Sequence, residues 1–163
     1  MMYKKILIRA PNWIGDAVMA IPTLSALRAH FKESEIALLA KPPVAALLEN
    51  HPTFDRLIVF EDPGRHSGWR GRWRLIRSLR KERFDLAFLL QNAFEAALIA
   101  ALAGVPERVG YAADGRGFLL TRSLPKRSAP LRQSEFYYDL TRLFPGANEG
   151  GAPGNPYLIV TGG

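Results

Sequence analysis

The chain has 163 residues, of which 48% are hydrophobic and 23% charged, a balance that excludes a disordered or fibrous chain and fits one ordinary domain. It contains no cysteine, which excludes disulfides, thiolate metal sites and cysteine nucleophiles, and His30, His51 and His66 lie too far apart for a zinc-ligand spacing. The net charge of +7 points to an anionic partner: nucleic acid, anionic lipid or a phosphorylated small substrate.

The apolar pattern alternates between two periods along the chain. Lys4–Arg9 reads as a buried strand, and Asp16 to Phe31 carries Val18, Ile21, Leu24, Leu27 and Phe31 at helical spacing. Pro22 interrupts that pattern, as a kink or as part of a late first turn. Glu35–Ala40 reads as the second strand, Pro43–Glu49 as a short helix opened by proline, and Arg56–Phe60 as the third strand. The spacing predicts a helix over Trp69–Lys81, a fourth strand over Asp85–Leu90 and a helix over Phe94–Ala103, ended by Gly104. Arg108–Tyr111 is the fifth strand, and Ser134–Leu143 a helix with Ser134 as N-cap. The apolar run Ala96–Val105 is about half the length a bilayer crossing needs. Lys4 and Lys5 precede too short an apolar run for a secretory signal.

Strands alternating with helices predict an α/β domain, a Rossmann-like parallel sheet with helices on both faces and right-handed crossovers. Ligands of such sheets bind beyond the carboxyl ends of the strands. Residues 1–144 are assigned to this domain. The segment Pro145–Pro156 is rich in Gly and Pro and reads as a linker, and Tyr157–Val160 as the first strand of a further domain or a last edge strand of the same sheet.

Charge is concentrated in one segment. Between Arg65 and Arg83 stand seven arginines and Lys81 against Glu82 alone, a balance equal to the net charge of the whole chain. On the predicted helix Arg70, Arg74, Arg77 and Lys81 form one basic stripe, and Trp69, Trp73, Ile76 and Arg80 the adjacent line. Arginine forks suit phosphate and carboxylate. Arg65, Arg70, Arg72 and Arg74, nearest the carboxyl edge, are either anion contacts or a solvated face, and for Arg77, Arg80, Lys81 and Arg83 the solvated face is the better reading. The loop Asp62–Gly68 is expected to gain order when a ligand binds.

The loop after the first strand matches neither a GxGxxG nor a GxxxxGK[ST] phosphate loop. It places Gly15 and Asp16 at the start of a helix, where Asp16 reads as an N-cap or as a general base. Gly15 leaves room for a close approach. Trp13 stacks on a sugar or covers the first helix. Asn92, beyond the fourth strand, bonds a ligand or caps the next helix. Arg116, between Gly115 and Gly117, sits in a loop predicted to be open, facing a ligand or idle in a turn.

Three blocks in register carry a resemblance. Asn12-Trp13-Ile14-Gly15-Asp16 with Pro22-Thr23-Leu24, then Gln91-Asn92-Ala93-Phe94-Glu95-Ala96-Ala97, then Ala103-Gly104-Val105-Pro106-Glu107-Arg108-Val109-Gly110-Tyr111 resemble the lipopolysaccharide heptosyltransferases, the family 9 glycosyltransferases. The resemblance covers residues 3 to about 144 and implies the amino-terminal, acceptor-binding half of a GT-B glycosyltransferase. It implies that Asp16 takes the proton from an acceptor hydroxyl that attacks the anomeric carbon of L-glycero-D-manno-heptose, with inversion and loss of ADP. It implies no cofactor and no metal; the donor ADP-heptose binds a second domain outside this chain, so this chain is expected to be inactive alone. The implied partners are a phosphorylated, Kdo-bearing lipid A inner core, the chain's own carboxy-terminal domain and an anionic inner-membrane surface. The implied location is cytoplasmic, peripheral on the inner face of that membrane. On this view Trp13, Gly15, Arg65, Arg70, Arg72, Arg74, Asn92 and Arg116 are acceptor-side residues. The rival is a basic nucleic-acid- or anionic-membrane-binding module without catalysis. No RRM, KH or helix-turn-helix pattern supports specific nucleic-acid binding.

Overall fold

The computed structural model describes residues 3–112 and 115–125. Six parallel strands form one sheet in the order β3-β2-β1-β4-β5-β6. The strands are β1 Lys5–Arg9, β2 Glu35–Ala40, β3 Arg56–Val59, β4 Leu86–Leu89, β5 Glu107–Ala112 and β6 Arg122–Pro125. The first five match the expected strands to within a residue or two. The sixth was not foreseen, because Arg122-Ser123-Leu124-Pro125 is an edge strand with little apolar signal. A 3-10 turn, Gly117–Leu119, precedes it. The predicted helix Ser134–Leu143, the linker Pro145–Pro156 and the strand Tyr157–Val160 lie outside the described residues.

The helices divide between the two faces by side-chain parity. Ile6, Ile8, Ile36, Leu38, Leu86, Phe88, Val109 and Tyr111 pack on one face with Ala17, Ile21, Leu24, Leu27, Val44 and Leu48. These last belong to α1 Ile14–Met19, α2 Ile21–His30 and α3 Pro42–Leu48. Leu7, Ala37, Leu39, Ala87 and Leu89 pack on the other face against α4 Gly68–Glu82 and α5 Phe94–Leu102. Strands covered on both sides read as unbroken apolar runs, which is why they were legible.

The helical pattern over Asp16 to Phe31 divides into two helices, with Pro22 in a late first turn, one of the two readings of its position. Ala20 separates α1 from α2, and Pro22 sits in the first turn of α2, where its missing N–H costs nothing. The break places the start of α1 beyond the end of β1, at the carboxyl edge.

Between β3 and α4 the chain forms a self-bonded loop. His66 N–H donates to the Glu61 carbonyl, and Glu61 N–H donates to His66 Nδ1 at 2.9 Å. Ser67 Oγ accepts from Gly64 N–H and donates to Asp62. This loop folds back onto the first turn of α4, and a Cβ on Gly71 would stand 2.2 Å from the His66 carbonyl carbon. The loop expected to gain order on binding is cross-braced by its own hydrogen bonds.

Candidate functional site at the carboxyl edge

The carboxyl ends of β1, β2, β3 and β4 lie side by side, so the segments that follow them share one rim. The segment after β1 is held from two sides. Arg9 Nη2 donates to Asn12 Oδ1 at 2.7 Å, and Asn12 N–H donates to Gln91 Oε1 at 3.0 Å, across to the segment after β4. From this fixed turn Trp13 projects with 75% exposure.

The N-cap of α1 is Trp13, with no side-chain cap bond, and Asp16 is the third residue of the helix. Asp16 therefore does not take the capping role open to it from sequence. Among the described residues the Asp16 carboxylate has no hydrogen-bond or ion-pair partner, although it is partly buried. Nothing lies within 4 Å of a Cβ built on Gly15, so the approach beside Asp16 is open.

Arg116 corrects an expectation. Its loop was predicted to be open, with the side chain facing a ligand or idle in a turn, but Arg116 is 0% exposed. Its Nε donates to the Tyr111 carbonyl at 2.8 Å and Nη1 to the Gln91 carbonyl at 2.6 Å, while Nη2 reaches Asn92 Oδ1 at 3.3 Å. A Cβ on Gly110 would lie 2.8 Å from Arg116 Nη2, so glycine there makes the room. Arg116 is a strut between the segments after β4 and β5, and it holds Asn92. Asn92 does not cap α5, whose N-cap is Ala93 without a side-chain bond.

The four favoured arginines of the basic segment separate. Arg72 turns inward, donating to Asp62 at 2.7 Å and to the His66 carbonyl at 2.9 Å, and approaching Glu95 at 3.3 Å. Arg65, Arg70 and Arg74 instead line an open groove of 570 Å³ that continues along α4 past Trp73, Arg77 and Lys81 to Glu82. Arg70 stacks over Trp69, which is 77% exposed. Arg80, on the adjacent line, bonds the Leu102 carbonyl on α5.

Two residues on this rim escaped the sequence reading. Arg9 and Lys41 close β1 and β2 on the α4/α5 face. Arg9, Lys41 and Arg72 stand 5.3, 5.6 and 5.2 Å from the centre of the buried Phe60 ring. The signal was available: Arg9 shares the parity of Leu7, so an alternating strand turns its charge inward. Among the described residues, no group of three or more His, Asp or Glu side chains is placed to hold a metal ion.

The family model for glycosyltransferase family 9 (heptosyltransferase) matches residues 72–141. The chain is 34% identical over 131 residues to lipopolysaccharide heptosyltransferase 2 of Escherichia coli (strain K12), covering 78% of the chain and 37% of that protein. It thus spans about a third of the length of the curated relatives it matches. The structure of E. coli ADP-heptose lps heptosyltransferase II superposes with a TM-score of 0.68 and 30% identity over 94% of this chain and 43% of that one. A family 9 glycosyl transferase from Veillonella parvula superposes with a TM-score of 0.83 at 20% identity, covering 94% of this chain and 45% of that one, which shows the shared fold. The form Pro11-Asn12-Trp13-Ile14-Gly15-Asp16 and the Asn92-Ala93-Phe94 after β4 resemble heptosyltransferase II in particular, in agreement with these names. With motif blocks after β1, after β4 and running into β5 of a parallel sheet that matches about half of a heptosyltransferase structure, the chain belongs to glycosyltransferase family 9, the heptosyltransferases.

Proposed function

We propose that this chain supplies the acceptor side and the general base of an inverting heptosyl transfer to the inner core of lipopolysaccharide. The donor, ADP-heptose, would be held by a half of the enzyme outside this sequence. The acceptor hydroxyl attacks the anomeric carbon as the bond to ADP breaks, with the bonding pair leaving on the ADP oxygen and the hydroxyl proton passing to Asp16. The observation that carries this reading is the Asp16 carboxylate, held at the rim beside exposed Trp13 and engaged by no partner among the described residues. A carboxylate with only a structural role would be expected to be bonded.

Acceptor contacts fall to Trp13, Asn92 and the outward arginines Arg65, Arg70 and Arg74. Arg72 and Arg116 support the rim. Gly15 keeps the approach to Asp16 clear.

The test is equilibrium binding of this chain to a phosphorylated heptosyl-Kdo oligosaccharide, with single-stranded RNA as competitor at matched salt. It is paired with a transfer assay on the chain joined to the donor half of a family member. Asp16→Asn should keep oligosaccharide binding and lower transfer at least ~100-fold, the usual scale for a general base. Equal displacement by RNA, or full transfer by Asp16→Asn, would sink the reading. This chain alone should show no transfer.

A second reading concerns location. Exposed Trp69 and half-exposed Trp73 flank the basic groove, the combination that seats a protein on an anionic bilayer. No helix among the described residues is long and apolar enough to cross a membrane. These tryptophans support a proposal of peripheral attachment to the inner face of the inner membrane, and co-sedimentation with phosphatidylglycerol vesicles but not phosphatidylcholine vesicles checks it.

A further inference from the structure

We propose that Arg9 and Lys41, braced by Arg72, form a subsite for an anionic oxygen group, a phosphate monoester or a sugar carboxylate, at the carboxyl ends of β1 and β2. The proposal deepens the acceptor-side reading, because it places one charged group of the acceptor on residues that neither the motifs nor the outward arginines include.

The argument starts from charge pairing. Arg9 is 5% exposed, and among the described residues no carboxylate forms an ion pair with its guanidinium. The two bonds described for it run to neutral oxygens, the Ala10 carbonyl at 2.6 Å and Asn12 Oδ1 at 2.7 Å. Burial pulls its pKa down to about 10, with Glu95 acting weakly in the other direction. The guanidinium therefore stays charged at neutral pH in a place where a lone charge is unfavourable.

The two acids nearby are already engaged. Asp62 accepts from Arg72 at 2.7 Å and Glu95 lies 3.3 Å from the same guanidinium. Lys41 stands 3.8 Å from Asp62, a loose pairing that leaves its ammonium available. Three cations thus surround Phe60 with two carboxylates between them, and the excess charge belongs to the most buried one.

Position completes the case. Leu39 O accepts from Ala10 N–H and Ala40 O from Phe60 N–H, so the ends of β1, β2 and β3 are level, and the cations stand around Phe60 at the edge where a parallel sheet receives its ligands. An incoming oxyanion would take hydrogen bonds from Lys41 and Arg9 and supply the missing counter-charge. Phe60 beneath it keeps the cations apart from the apolar layer. The same guanidinium also orders Asn12, so anion binding here would be felt by the turn that carries Trp13 and Asp16.

The experiment is titration of the 163-residue chain with inorganic phosphate, glucose 6-phosphate and glucuronate, followed by NMR of arginine Nε–Hε groups. Circular dichroism checks the fold of each variant. Phosphate and at least one sugar anion should shift the Arg9 resonance, and glucose 6-phosphate against glucuronate decides between phosphate and carboxylate as the natural group. Lys41→Met should weaken binding about tenfold, and Arg9→Met should abolish it. Should Arg9→Met fail to fold, Lys41→Met, on a partly exposed side chain, still decides. Unchanged affinity in Lys41→Met, or binding that disappears in Arg70→Ala/Arg74→Ala instead, overturns the proposal. Heptosyl-Kdo oligosaccharide binding without phosphate binding at Arg9 would remove the subsite and leave the transferase reading. Phosphate binding at Arg9 without oligosaccharide binding would do the reverse.

Discussion

The two edges of the sheet handle charge in opposite ways. At the amino edge a set of charges is paired with opposites. Lys5 and Arg56 share Glu82 at 2.8 and 2.9 Å, Arg56 also approaches Glu35 at 3.4 Å, and Arg28 pairs with Asp55 at 3.0 Å. Carboxylates ahead of strands close the backbone as well: Asp55 accepts from Ile36 N–H and Asp85 from the N–H groups of Lys4 and Lys5. At the carboxyl edge Arg9 binds neutral oxygens and Asp16 binds none of the described groups. Partly exposed pairs contribute little each, but a closed network tolerates no ligand. The edge with unmatched charges has given up that neutrality, and in a parallel sheet it is also the ligand edge. Charge imbalance thus singles out the carboxyl edge as the candidate ligand end independently of any motif.

The largest effect expected from breaking this contrast comes from Arg116, which belongs to the carboxyl edge by position and yet serves structure. Arg116→Ala leaves the carbonyls of Gln91 and Tyr111 without their donor, which should cost about 3 kcal/mol or more, measured by urea unfolding. Gly110→Ala should cost ~1–3 kcal/mol through the crowding at Arg116 Nη2. Stability within ~0.5 kcal/mol of the parent in both variants would return Arg116 to the group of solvent-facing arginines.

A smaller effect is expected at His66. Burial, together with Arg65, Arg74 and Arg72, holds its pKa below the ordinary 6.5, against the opposite pull of Glu61. Its Nδ1 accepts the Glu61 N–H, so the ring must be neutral for that bond. The native state then binds fewer protons than the unfolded chain as pH falls from 6.5 towards the folded pKa. The stability this histidine contributes is present above pH 6.5 and is lost below it. Urea unfolding at pH 7.5 and 5.5 should show a pH-dependent loss in the parent that His66→Gln lacks. An identical loss in both would assign it elsewhere, with His51 the next group to examine because burial lowers it too.

The smallest effect lies at the neutral edge. Lys5 first, and then Arg56, hold Glu82 below its usual 4.5, against burial. The stability from Glu82 is therefore present above pH 4.5 and is lost as pH falls through the folded value. Glu82→Gln should lower stability by less than ~1 kcal/mol at pH 7, since these side chains are partly exposed, and should flatten the decline at acid pH. A larger loss at neutral pH would mean that the amino edge depends on its ion pairs more than solvent screening predicts.

Much of the fold was legible because parallel strands buried on two faces leave unbroken apolar runs such as Ile36–Ala40 and Leu86–Leu90. The edge strand Arg122–Pro125 was not, because an outer strand needs few apolar residues to pair. At the site, Asp16 and its turn could be read from the chain itself, since helix start, glycine and carboxylate are all local. The fate of each arginine could not. Sequence gives Arg70, Arg72 and Arg116 the same donors and the same charge. Which one faces solvent depends on carbonyls and carboxylates brought from Gln91, Tyr111, Asp62 and Glu95, all distant along the chain.

Local order therefore determined the βα alternation, the carboxyl-edge turn and the concentration of positive charge between Arg65 and Arg83. Tertiary structure decided which charges are matched. A hydrogen bond or ion pair needs two groups within about 3 Å, and that proximity comes from the packing of segments whose separation along the chain carries no such information. Gly71 and Gly110 show the same limit: each is an ordinary glycine in sequence, and each is required because another segment, His66 or Arg116, occupies the space a Cβ would fill.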